Sequence, residues 1–166
     1  MDIEVITQNI PADANLVPTF GEVTDSLDST RVFGLFLKKA HSTIHMVHWY
    51  VLNYDAHIIL GDLYESLDKQ FDKLQEEIIG TSRDTGAQFP LFSHTTFDLD
   101  NISQFKDDTK RIIDSYYYVY KTVTDILTST EFKSYTCQVK SGIQNTVDSI
   151  LSKFNRANFL LSMVKD

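Results

Sequence analysis

Helix breakers are scarce along this chain, and that scarcity limits its fold more than any other feature. Its 166 residues hold three prolines and six glycines, and Pro11 and Pro18 both fall in the first stretch. Between the breakers, apolar residues recur at intervals of three and four, the period of an amphipathic helix. "TDSLDST" offers N-cap side chains for a first helix carrying Phe33, Leu37, Ala40, Ile44, Val47 and Val51. "NYD" ends that helix, and Asn53 caps a second running from about Tyr54 to Ile79. The second helix buries Leu60, Leu63, Leu67, Phe71, Leu74 and Ile78, with Gly80 as its C-terminal stop. A long connection, "TSRDTGAQFPLFSHTTFDLD", leads to "NISQ", where Asn101 caps a third helix and Gln104 reaches back. That helix carries Ile102, Phe105, Ile112, Tyr116, Val123 and Leu127. A Ser/Thr-rich break, "TSTEFKSYT", precedes a fourth with Val139, Ile143, Val147, Ile150, Phe154, Leu161 and Val164. The expectation is an irregular lead-in over residues 1–24 and an all-α four-helix bundle over 25–166, with a long connection between helices two and three.

The length suits one well-buried domain. A net charge of −8 disfavours a nucleic-acid partner, whose phosphates such a surface repels, and favours cations. Cys137 is the only cysteine, so no internal disulfide forms and a reducing compartment fits. "MDIEVITQNIPADANLV" has no basic signal-peptide start, and no apolar run reaches the roughly 18 residues of a membrane span. A cytoplasmic protein is expected. Gly-rich phosphate loops, GxSxG and HExxH are absent, as is the ExxH pair that builds a di-iron centre along a bundle axis. "DLDNISQFKDD" lacks the glycine and glutamate of a calcium loop.

Two stripes remain. At about 100° per residue, His41, His45 and His48 fall within about 60° of one another, beside the apolar stripe of the first helix. On the second helix His57, Gly61, Glu65, Asp68, Asp72 and Glu76 follow one edge, with Asp72 and Glu76 a turn apart. Mixed imidazole and carboxylate donors suit iron, manganese or zinc. The plainer reading makes the acids a solvated face, with Lys69 and Lys73 pairing to Glu65 and to Glu76 or Glu77, and makes the histidines packing groups. Trp49 and the tyrosines of Tyr116–Tyr120 then serve as core and interface aromatics. Gly61, at a mid-helix cost of about 1 kcal/mol, admits a neighbouring helix or is simply tolerated.

His48-Trp49, His57, Asp72 and Glu76 together resemble the ferroxidase signature of the Dps-like branch of the ferritin superfamily. The wider pattern "HxxHWxxxxYxxHxxLGxLYExLDxxxDxLxExxxG", over about residues 40–80, is similar to small ferritin-like proteins of tailed phages. The resemblance implies a ferritin-like bundle that binds iron, with zinc or manganese as alternatives, and oxidises ferrous iron with oxygen or peroxide. It makes His48 and His57 nitrogen ligands and Asp72 and Glu76 oxygen ligands, with His45 and Glu65 as secondary candidates. It further implies a site shared across a two-fold axis, hence at least a homodimer, located in the host cytoplasm if the protein is phage-encoded. The Lys-rich tail of DNA-binding relatives is missing, so no DNA partner is expected, and Gly61 stands where the family has an aspartate. The alternative is a non-enzymatic helical bundle that binds a protein partner and has lost metal activity.

Overall fold

The computed structural model describes residues 26–92, 109–139 and 142–164. The expected lead-in, the "NISQ" start, Ile102 and Phe105 lie outside them. The described residues form five helices and no strand: α1 (Ser26–Tyr50), α2 (Tyr54–Thr85), α3 (Thr109–Leu127), α4 (Thr130–Val139) and α5 (Ile143–Leu161). None is long and apolar enough to cross a membrane. α2 is the central element. It packs extensively on α1 along one side and on α5 along another, while α3 packs on α1.

Every apolar position expected on α1 and α2 is buried, from Phe33 to Val51 and from Leu60 to Ile78. Ile112, Tyr116, Val123 and Leu127 of α3 and Ile143, Val147, Ile150, Phe154 and Leu161 of α5 complete the core. Strict helical spacing leaves each helix one continuous apolar edge, which water expels into a common interior. The Tyr116 hydroxyl lies inside too, and it donates to Asn158 Oδ1 at 2.6 Å, so burial of its polar end is compensated.

Two boundaries differ from expectation. α2 does not stop at Gly80 but continues to Thr85, and Gly86, in the left-handed conformation with φ of 68°, terminates it by donating its N–H to Ser82 O. Open space surrounds Gly80, so nothing there obstructs the helix, and the modest mid-helix cost of glycine is met. The stretch "TSTEFKSYT" is also largely helical. Ser129 Oγ accepts from the Phe132 N–H at 3.1 Å as an N-cap, and Phe132, Tyr135, Thr136 and Val139 bury one face of the short α4. Two helices therefore occupy the span expected to hold a break and one helix.

Candidate functional site

The α1–α2 turn sets the geometry of the histidines. Asn53 ends the turn in extended conformation, and its Oδ1 accepts from the Ala56 N–H at 3.0 Å, so α2 starts at a defined residue. His48 thereby falls in the last turn of α1 and His57 in the first turn of α2. Each ring reaches the other's backbone. His48 Nδ1 donates to His57 O and His57 Nδ1 donates to His48 O, both at 2.9 Å, with ring centroids 3.9 Å apart. His48 O is among the last carbonyls of α1, which lack helical partners, so the His57 ring closes that helix end. A carbonyl only accepts, so both Nδ1 atoms carry a proton, and the lone pair of the neutral tautomer of each ring is on Nε2.

Gly61 belongs to this arrangement. A Cβ at that position would lie 2.9 Å from His48 Cε1 and 3.2 Å from Nδ1. The glycine admits the neighbouring helix α1 through one side chain, the His48 imidazole.

The other two histidines of α1 pack on Tyr64. His45 lies parallel to that ring at 4.0 Å and meets Trp49 at 4.2 Å; His41 Nε2 donates to Tyr64 O at 3.1 Å. Partial burial of His45, followed by the nearby His48 and His41, holds its pKa below the ordinary 6.5. The folded chain therefore binds this proton less readily than the unfolded chain, and stability falls as pH drops below about 6.5. His45→Phe retains a ring against Tyr64 and Trp49 without a titrating group. Thermal melts between pH 7.5 and 5.5 should show a smaller acid-induced loss for that variant than for wild type.

The carboxylates sit elsewhere on α2. Asp72 Oδ1 accepts from Lys38 Nζ of α1 at 2.7 Å, and Lys38 also lies 3.9 Å from Asp68. His41 Nε2 approaches Asp68 at 3.8 Å. The bond to Asp72 does most to raise the Lys38 pKa. Lys73 pairs with Glu77 at 3.8 Å, one of the pairings considered from the sequence, while Glu65 and Glu76 are exposed. Lys38 was legible in principle: it stands one turn before His41 on the same edge as His45 and His48.

The expected ligands do not meet within one chain. At 1.5 Å per residue, Asp72 lies about 22 Å and Glu76 about 28 Å along α2 from His57. Among the described residues no three His, Cys, Asp or Glu side chains converge on a point that could hold a metal ion. The residues fit a divalent ion in their donor chemistry, with two imidazoles oriented by backbone carbonyls and two carboxylates a turn apart. Around the α1–α2 turn four large apolar side chains are exposed, which the periodicity did not indicate: Trp49, at 61 %, and Leu52, Tyr54 and Ile58. Trp49 is thus not a core residue.

No protein-family model matches this chain, and no curated protein or solved structure matches it either. The Dps-like resemblance rests on residues of α1 and α2 alone.

Proposed function

We propose that the chain is a Dps-like protein of ferritin-like fold that pairs through its α1–α2 face and binds iron, or zinc or manganese in its place, between two copies. The observation that carries this reading is the histidine pair: both Nδ1 protons are spent on backbone carbonyls, leaving both Nε2 lone pairs for a ligand. His48 and His57 of one copy would supply nitrogen, and Asp72 and Glu76 of the other would supply oxygen and negative charge. Antiparallel pairing of α2 about a two-fold axis level with Ser66 and Leu67 would set His57 opposite Glu76 and Gly61 opposite Asp72. Trp49, exposed and in ring contact with His45, lies on the same face and favours its burial. Bound iron would supply a ferrous–ferric couple for oxygen or peroxide; the chain's part is to orient the imidazoles and balance the charge.

The test is zinc titration, and anaerobic ferrous titration, of wild type and Glu76→Ala, with sedimentation analysis of both. Wild type should bind stoichiometrically as a dimer. Glu76 is exposed on α2, and alanine is the better helix former, so Glu76→Ala should lose at least about tenfold in affinity with unchanged helix content. His57→Ala is a less clean probe because it also opens the α1 end. A monomer that binds no metal at neutral pH would overturn the reading.

One arrangement favours the second reading, a metal-free bundle that binds a protein partner. Asp72 already has a cation in Lys38, and the seat at Gly61 already holds His48. A chain that needs no metal to satisfy these groups is free to use the exposed Trp49 ring for recognition.

A further inference from the structure

Lys38 is the one lysine or arginine that reaches from α1 into the carboxylate stripe of α2 among the described ion pairs. Its ammonium bonds Asp72 at 2.7 Å and stands 3.9 Å from Asp68, while His41, one turn further along α1, approaches Asp68 from the same side. The side chains of Lys38, Asp68 and Asp72 all remain more than half exposed, so this ladder is held by charge rather than enclosed by packing.

We propose that Lys38 is the resident counter-cation of Asp72, occupying that carboxylate until a divalent metal takes its place, so that it sets the affinity and salt dependence of the metal site. The proposal rests on the metal-binding reading above. Physically it is a competition. A carboxylate bonded to an ammonium must give up that bond, or share it, before it can ligate, and an ammonium left nearby repels the incoming dication. Asp72 is the member of the pair under such control: Glu76, one turn on, has no ion pair with Lys38. Without metal the same pair balances the Asp72 charge. An exposed pair of this kind contributes little to folding, so its removal leaves the protein intact.

The experiment is zinc titration calorimetry at low and high salt on wild type, Lys38→Met and Lys38→Arg, each checked by thermal melt. Methionine keeps the apolar stem and removes the charge; arginine keeps the charge. The expected result is that Lys38→Met binds zinc about five- to tenfold more tightly than wild type at low salt. The gain should shrink in ~0.5 M salt, and Lys38→Arg should stay near wild type. If wild type binds zinc and Lys38→Met binds equally or less tightly, the counter-cation role is wrong and the metal site stands. Zinc binding by Lys38→Met but not by wild type would overturn both, because Lys38 then yields to no metal in the native chain. If none of the three chains binds, both proposals fail together.

Discussion

Phe89→Ala is expected to destabilise the protein by about 3–5 kcal/mol, as much as a truncation within a helix core, although Phe89 lies in the connection after α2. The ring is 3 % exposed. It stands 5.0 Å from Phe33 of α1, 5.9 Å from Phe132 and 5.0 Å from Tyr135 of α4, and 5.8 Å from Phe92. Its backbone is also tied down, since Phe89 O accepts from Ser29 Oγ at 2.8 Å. The left-handed Gly86 turns the chain out of α2, and Phe89 then plugs the end of the bundle between the start of α1 and α4. Removing the ring leaves a cavity among rigid aromatic neighbours that cannot collapse into it. A melting temperature lower by on the order of 10 °C follows for a chain of this size. Leu91→Ala, two residues on and 72 % exposed, should change stability by less than about 0.5 kcal/mol. Equal melting temperatures for the two variants would show that the aromatic cluster does not close this end.

Gly61→Asp carries the second large effect. The family resemblance makes it the natural restoration of a missing ligand, and the structure predicts that it harms. The new Cβ would stand 2.9 Å from His48 Cε1, so the ring must swing away and lose both its bond to His57 O and its stacking on His57. One hydrogen bond and one ring pair together amount to about 1–3 kcal/mol, only partly offset by aspartate's better helix propensity over glycine. The expected outcome is a melting temperature lower by about 3–6 °C and a zinc affinity no better than wild type, because one donor is displaced as another is added. A stable Gly61→Asp protein with tighter zinc binding would contradict this account of Gly61.

The helical character and the core faces were legible in the residues because helix geometry is local. Ile44, Val47 and Val51, or Leu67, Phe71 and Leu74, share a face at 100° per residue wherever the helix finally packs. The Asn53 cap was legible for the same reason, since its partner is three residues away. The true end of α2 and the existence of α4 were less so. Gly80 carries a stop signal that tertiary packing overrides, and "TSTEFKSYT" reads as a break until Phe132 and Tyr135 find Phe89 and Ser82.

The candidate site divides along the same line. The sequence alone put His48 and His57 at the two ends of one turn, and Asp72 and Glu76 on one edge of α2. Only the tertiary structure decided that the imidazoles close on each other's carbonyls, that Gly61 exists to seat one of them, and that Asp72 faces Lys38. These contacts join different helices, and Lys38 and Asp72 are 34 residues apart in the chain. No periodicity within a single helix records how its neighbour is rotated and slid against it; packing of the whole core fixes that, and with it which polar group each edge residue meets.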